Sequence, residues 1–158
     1  MTTENLFMQR ALELAQLAQS KGEVPVGAVV VYEGNIIGEG YNQPISAIDT
    51  TAHAEIMAIR QACQARGNYR LVDCDMFVSL EPCAMCAGAI VHARIKNLHF
   101  AASDPKTGAC GTVVDLVSQN PTGHRVKVLS GLFAEQAQNM LQLFFKARRE
   151  QKKREKSL

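Results

Sequence analysis

The sequence has no tryptophan, and aromatic residues make up only 6% of its 158 positions. Because 47% of the residues are hydrophobic, aliphatic side chains and alanine must fill most of the core of a single domain spanning residues 1–158. No stretch approaches the ~18 consecutive apolar residues of a membrane span, and residues 1–6 do not resemble the start of a secretory signal. These absences predict a soluble, cytoplasmic protein that does not act at a membrane.

The five cysteines are an odd number in a chain with no predicted export signal. Disulfide frameworks usually need an even number and an oxidising compartment, so these thiols are expected to be buried or bound to metal. Cys83 and Cys86 stand three positions apart, whereas Cys63, Cys74 and Cys110 form no such pair. We therefore expect Cys63 and Cys74 to be core thiols and Cys110 to lie in a loop.

Positive charge is scarce in most of the chain and concentrated at its end. The formal net charge is +2, yet residues 146–158 contain seven Lys and Arg residues against two acidic ones. A basic helix end of this kind suits the phosphate backbone of a nucleic acid, but such runs are as often a solvated surface. Composition alone leaves both interpretations open.

The order of apolar segments predicts an α/β domain. Two Val- and Ile-rich segments flank the turn 33–35, which predicts a β-hairpin, and the later alternation of helices and strands predicts parallel strands with helices on both faces. The predicted elements, in order, are helix 4–21, strands 26–32 and 36–41, helix 53–65, strand 76–80, helix 83–93, strand 98–101, a loop over 103–111, a short helical turn near 113–118, strand 126–129 and helix 132–149.

One histidine and two cysteines stand at the spacing of a metal site. His53 is followed two positions later by Glu55, and Cys83 and Cys86 come about thirty residues on, directly after Pro82. Cysteines three apart at a helix start project to the same side, where the helix N-terminus favours their thiolates. A structural zinc site would need a second Cys/His pair. The pattern therefore predicts a catalytic zinc with three protein ligands and an open fourth position, rather than a redox pair or two buried thiols.

Glu55 is the predicted acid–base group of this site. On a regular helix, residues two apart point about 200° away from each other. His53 and Glu55 can therefore converge only if the metal lies beyond the helix start, and Asp49, Thr50 and Thr51 directly before it offer capping side chains.

The His-x-Glu and Pro-Cys-x-x-Cys motifs resemble the signature of the cytidine deaminase-like superfamily. The similarity is closer to its bacterial tRNA-specific adenosine deaminase branch and covers roughly residues 4–150. The segments that carry it are 23–28, 40–42, 51–56, 80–89, 104–109 and 144–149.

This resemblance implies a three-layer α/β/α fold with a five-stranded mixed sheet, a homodimer with one Zn²⁺ per chain, and conversion of adenosine to inosine at the wobble position of a tRNA anticodon. It implies that His53, Cys83 and Cys86 hold the zinc and that Glu55 is the proton shuttle. The substrate contacts that it implies are Val26, Asn42, Ala54, Asp104, Lys106, Phe145 and Arg149.

The basic end of the last predicted helix offers a further surface. Phe145, Arg148 and Arg149 fall on one helical face, which could place an aromatic platform beside two cations. In the competing interpretation, Phe144 and Phe145 both belong to the core.

Two other functions stay open. Deaminases of free bases, nucleosides or nucleotides, such as guanine, cytosine or deoxycytidylate, share the zinc signature, but segments 104–109 and 144–149 oppose that assignment. A zinc-bearing RNA-binding subunit without catalysis is opposed by the presence of Glu55.

Overall fold

The computed structural model describes residues 1–157, over which four helices and five strands form an α/β domain. The predicted hairpin and the alternation of helices and strands after it are both present. The elements, in chain order, are α1 (Thr3–Ser20), β1 (Gly27–Tyr32), β2 (Asn35–Tyr41), α2 (Ala54–Arg66), β3 (Asp75–Leu80), α3 (Ala84–His92), β4 (Asn97–Ala102), β5 (Lys127–Ser130) and α4 (Ala134–Lys156).

The five strands form one mixed sheet in the order β2-β1-β3-β4-β5. Strand β1 pairs antiparallel with both β2 and β3, whereas β3, β4 and β5 are parallel to one another. The start of β1 therefore lies at the same edge of the sheet as the ends of β2, β3 and β4. Ligand sites in α/β sheets usually form at the edge where parallel strands end, and all of the predicted site residues apart from those on α4 lie in or next to this edge.

Helices cover both faces of the sheet, as the sequence predicts. Helices α2 and α3 share one buried cluster with the sheet, and α1 and the start of α4 share the other. Glycines in the strands allow the helices to pack directly against the sheet backbone. A Cβ on Gly27 would lie 2.0 Å from the Ala11 carbonyl oxygen, and one on Gly38 would lie 2.3 Å from the Ala58 carbonyl oxygen. Because aromatic side chains are few, the core is filled in part by close approach of the strand and helix backbones, which glycine and alanine allow.

Most predicted boundaries lie within two residues of the observed ones, but two predictions are wrong. Helix α4 continues to Lys156 instead of ending at Arg149, because Lys, Arg, Glu and Gln favour helix and no Gly or Pro interrupts them. Segment 113–118, predicted as a short helical turn, contains turns and an isolated bridge between Cys110 and Asp115 but no helix. Across residues 1–157, no helix combines the length and apolar character required to cross a membrane.

Candidate metal centre and active site

Helices α2 and α3 both begin at a predicted zinc ligand. His53 is the N-cap of α2 with φ −74° and ψ 155°, and Cys83 is the N-cap of α3 with φ −74° and ψ 177°. Neither side chain makes the usual capping hydrogen bond with its helix. Because His53 precedes the first helical turn, its side chain and that of Glu55 reach the same place despite their spacing.

The prediction that Asp49, Thr50 or Thr51 caps α2 is wrong. The Asp49 carboxylate instead accepts hydrogen bonds from the backbone N–H and the hydroxyl of Thr51, at 2.9 and 2.7 Å. These bonds order the loop that leads from β2 to His53. The first N–H groups of α2 consequently receive no side-chain cap from this segment.

The three predicted ligands form a compact group whose donor atoms all lie within 4.8 Å of one another. His53 Nδ1 lies 3.7 Å from Cys83 Sγ and 3.5 Å from Cys86 Sγ. A tetrahedral zinc ion with Zn–N bonds of about 2.0–2.1 Å and Zn–S bonds of about 2.3 Å would place such atoms about 3.6 Å apart. One imidazole and two thiolates also match the donor preference of zinc. The geometry and the donor set therefore fit one Zn²⁺ with its fourth position open.

The pKa values of the two cysteine ligands are shifted in opposite directions. The pKa of Cys83 falls to about 4, because hydrogen bonds from Cys86 and His53 stabilise its thiolate. The pKa of Cys86 is raised by its hydrogen bond to Cys83 and by burial. The hydrogen bond with Cys83 raises the pKa of His53 in turn. A metal ion that binds all three side chains must displace protons from this group, so its affinity increases with pH.

Glu55 is buried beside the ligands, with only 4% of its surface exposed. Burial, reinforced by the nearby Cys83 charge, raises the pKa of Glu55 to about 7, although its own backbone N–H, His53 and Cys86 partly offset this rise. A carboxyl group with a pKa near neutrality can both accept and donate a proton at working pH. Glu55 thus has the position and the proton affinity of an acid–base group.

Val26, Asn42 and Ala54 also lie at this edge of the sheet. The Asn42 N–H donates to the Val26 carbonyl at 3.0 Å, which joins the open ends of the hairpin. Val26 and Ala54 are members of one buried apolar cluster that also contains Ala109. Asn42 is 9% exposed, and no hydrogen bond from its side-chain amide is found among residues 1–157. Its amide is therefore available to a ligand. Val26 keeps 7% of its surface exposed, whereas Ala54 is fully buried and offers no accessible surface.

A groove of about 620 Å³ lies between the loop after β4 and helix α4. Four of the predicted substrate contacts line it together, namely Asp104, Lys106, Phe145 and Arg149. Phe145 is 41% exposed, which is unusual for a large aromatic side chain that serves only the core. The groove thus combines an aromatic face with two cations.

Arg148 does not belong to this groove. Its guanidinium stacks on the Phe144 ring at 4.9 Å from the centroid and donates to the Gly22 carbonyl at 3.3 Å. Phe144 is half-buried beneath it. The predicted face with two cations beside Phe145 is therefore wrong for Arg148, and of that pair only Arg149 accompanies Phe145.

Asp104 is engaged by its own loop. Its carboxylate accepts hydrogen bonds from the Lys106 and Thr107 N–H groups and from the Thr107 hydroxyl. Partial burial alone would raise the pKa of Asp104, but these bonds lower it. Asp104 therefore shapes the loop that presents the exposed Lys106.

Two buried glutamates that were not predicted from the sequence hold loops at this edge. Glu23, only 1% exposed, accepts hydrogen bonds from the Ile45 and Ser46 N–H groups and from the Ser46 hydroxyl. Burial opposes ionisation of Glu23, but these bonds lower its pKa. Glu81 holds the loop after β4 in the same manner. The signal for Glu81 was an acidic residue between an apolar strand and the Pro-Cys motif.

Comparisons with known proteins agree with this site. The family model for the cytidine and deoxycytidylate deaminase zinc-binding region matches residues 1–102. The tRNA-specific adenosine deaminase of Haemophilus influenzae is 51% identical over 153 residues, which cover 96% of this chain and 88% of that protein. The protein of the same name from Bacillus subtilis is 42% identical over 153 residues, which cover 97% and 95%.

Structural similarity leads to the same group. A solved structure from a study of A-to-I editing by tRNA:A34 deaminases at the wobble position of transfer RNA matches with a TM-score of 0.82 and 46% identity. The match covers 85% of this chain and 98% of that chain. The chain therefore belongs to the zinc-binding cytidine and deoxycytidylate deaminase family, within the branch of the tRNA-specific adenosine deaminases.

Proposed function

We propose that this protein hydrolyses adenosine to inosine at the wobble position of a tRNA anticodon. The observation that carries the proposal is the meeting, at one sheet edge, of a His/Cys/Cys zinc group, a buried acid–base carboxyl and a groove lined by an aromatic ring and cations. Relatives named tRNA-specific adenosine deaminases match nearly the whole chain, and this supports the same substrate.

His53, Cys83 and Cys86 would hold the zinc ion. When bound, zinc supplies a Lewis acid with an open position that makes water nucleophilic near neutral pH. Glu55 takes a proton from water as its oxygen attacks C6 of adenine, and delivers that proton to ring nitrogen N1. Glu55 then carries the second proton of that water to the departing amino group. Ammonia leaves, and the ring keeps oxygen at C6 and hydrogen at N1.

Three residues around Glu55 orient the reacting nucleoside. The Asn42 amide offers both a donor and an acceptor to the substrate. Val26 provides apolar surface for the base, and the fully buried Ala54 supports it from the same core cluster. Adenosine in an anticodon loop is already largely unpaired, so placing it in a pocket costs less than extruding a duplex base.

The groove has the chemistry of a single-stranded RNA site. An exposed aromatic ring can stack on a base next to the reacting one, and Lys106 and Arg149 can each bind a phosphate. Phe145 and Arg149 stand four positions apart on α4, so ring and guanidinium face the same way. A free base or nucleoside would leave these groups without partners, which argues against a small-molecule substrate.

The direct test uses an anticodon stem-loop that carries adenosine at the wobble position. Incubation with zinc-loaded protein should produce inosine, detected by the mass change when an amino group is replaced by oxygen. Free adenosine at the same concentration should react far more slowly, because remote contacts contribute to orientation and turnover. Comparable rates on both would favour a nucleoside deaminase, and binding without any inosine would favour a non-catalytic RNA-binding role.

We further propose that the protein is a single domain over residues 1–158 that works as a homodimer in the cytoplasm. Helix α3 supports the dimer, since its outward face presents Met85, Gly88 and Ala89, with Met85 38% exposed. The five unpaired cysteines and a tRNA substrate suit a reducing compartment. Sedimentation of the wild type and of Met85→Lys should give a dimer and a weakened dimer, respectively.

A further inference from the structure

Glu81 is a buried carboxylate that the proposed reaction does not use. It stands between the end of β3 and Pro82, two positions before Cys83, and only 2% of its surface is exposed. Three backbone N–H groups of the loop after β4 donate to it at 3.0–3.1 Å, those of Asp104, Cys110 and Thr112. The Thr112 hydroxyl is a fourth donor. One carboxylate therefore binds both the beginning of this loop, at Asp104, and its later part, at Cys110 and Thr112.

The loop is fitted closely around this carboxylate. A Cβ on Gly108 would lie 2.4 Å from both Cδ and Oε1 of Glu81, so no other residue fits without movement. The Ala109 N–H adds a bond of 2.9 Å to the Pro82 carbonyl. Position 108 is thus glycine because the loop passes directly over Glu81.

The same loop lines the groove on its other side. Asp104 and Lys106 belong to the groove wall, and so does Leu80, the residue before Glu81. Lys106 is exposed, and its position follows from the loop bonds made by Asp104 and, through them, by Glu81. Glu81 consequently joins the segment that carries the zinc ligand Cys83 to the segment that carries a groove cation.

We propose that Glu81 is a positioning residue that fixes loop 103–112 relative to the zinc ligands, so that Lys106 meets a phosphate next to the reacting adenosine. This inference rests on the proposed RNA substrate. A purely structural glutamate would affect stability or zinc content, but it would leave the number of phosphate contacts unchanged. The salt dependence of RNA binding separates the two roles, since its slope reports those contacts.

The test measures equilibrium binding of zinc-loaded protein to a stem-loop that carries inosine, the product, so that no turnover occurs. In Glu81→Gln, an amide NH₂ replaces one acceptor oxygen and faces backbone donors, which releases the loop. We expect about tenfold weaker binding, as for loss of one charge-assisted contact. The log–log salt slope should fall by about 0.7–0.9, as it should in Lys106→Ala. The double variant should bind like the weaker single variant, because both changes remove the same contact.

Two further variants make the result decisive. Asp75→Asn makes the same carboxylate-to-amide change at the opposite end of β3, where Asp75 accepts from Asn97, and it should leave affinity and slope unchanged. Thr112→Val removes a single donor to Glu81, so it should fold even if Glu81→Gln does not. We expect about threefold weaker binding from loss of that one hydrogen bond, with a flatter slope.

Several outcomes would overturn the role of Glu81. These are wild-type affinity and slope in Glu81→Gln, or in Thr112→Val should Glu81→Gln fail to fold; additive losses in the double variant; and loss of zinc from Glu81→Gln with an unchanged slope. A wild type that shows no salt-dependent binding to the stem-loop would refute the proposed function, and this inference with it.

Discussion

The zinc centre and the groove lie at the same edge of the sheet, but they are built differently. The ligands sit at the N-termini of α2 and α3, where helix geometry fixes His53 and Cys83 and burial shields Glu55. The groove is formed by one loop and the outer face of α4, and its key side chains are largely exposed.

This difference matches what each region has to do. Chemistry at a metal requires ligands held within about 0.5 Å, which rigid helix starts and buried neighbours can provide. Recognition of several nucleotides needs a longer surface, and a loop and a helix supply it if something holds them in place. In the loop, Glu81 is the group that provides this hold.

The largest expected effect comes from removing a ligand. Cys83→Ala or Cys86→Ala should reduce zinc from about one ion per chain to almost none, with loss of activity, because two remaining protein ligands hold the ion poorly. Metal analysis of dialysed protein measures this. Cys63→Ala is the matched control and should keep its zinc, since Cys63 lies outside the ligand group. Near-normal zinc in both ligand variants would contradict the assignment.

Glu55→Gln should separate chemistry from metal binding within the centre. The variant should keep its zinc and its RNA affinity, while the rate of inosine formation falls by about 10²–10⁴-fold, the usual contribution of a positioned acid–base group. Single-turnover rates on the stem-loop provide the measurement. If turnover stays close to that of the wild type, another group moves the proton.

In the zinc-free protein, the raised pKa of the buried Glu55 should make the free energy of unfolding depend on pH. Its pKa of about 7 in the folded state lies above the ordinary 4.5, so the folded state holds a proton that the unfolded state has lost. The free energy of unfolding should therefore fall as pH rises from 4.5 to 7, by about 3 kcal/mol at about 1.4 kcal/mol per tenfold change in proton affinity. Glu55→Gln lacks this loss, so urea denaturation should find it more stable than the wild type at pH 8 and similar at pH 4. Parallel pH profiles would refute the burial effect.

In the groove, Phe145→Ala should weaken stem-loop binding by the value of one base–aromatic stack, about 1–3 kcal/mol. Leu143→Ala is a control on the same helix, because Leu143 is 66% exposed and lies outside the groove. Titration of labelled RNA with both variants should show a loss only for Phe145→Ala. Equal affinities would place the RNA elsewhere.

The smallest effects should come from individual cations. Arg149→Ala should lower the log–log salt slope by about 0.7–0.9. Removal of residues 151–158 should flatten the slope and weaken binding only modestly. Arg148→Ala should reduce stability and leave the slope unchanged, since its guanidinium stacks on Phe144 and binds the Gly22 carbonyl. Identical slopes for the wild type, Arg149→Ala and the truncation would show that this end of the chain does not contact the RNA.

The two regions also differ in how much the sequence predicted. The order of helices and strands along the chain, the hairpin and the His53/Cys83/Cys86 group follow from local periodicity and short motifs, which depend on neighbouring residues. The role of Arg148 did not follow, because positions three and four apart on a helix both allow contact, and only tertiary packing selects Phe144 over Phe145.

The buried glutamates show the other limit of sequence interpretation. Glu81 bonds mainly to backbone N–H groups more than twenty residues away, and Glu23 does the same across the hairpin. Every residue except proline carries a backbone donor, so such contacts leave no pattern in the side chains and cannot be predicted without the fold.

The most direct test compares kcat/KM of zinc-loaded wild type on three substrates: the stem-loop with wobble adenosine, the same stem-loop with adenosine moved to a neighbouring loop position, and free adenosine. The account predicts efficient inosine formation only on the first, because chemistry at Glu55 depends on neighbouring nucleotides held in the groove. Similar kcat/KM on the first and the last would contradict the claim that centre and groove act together.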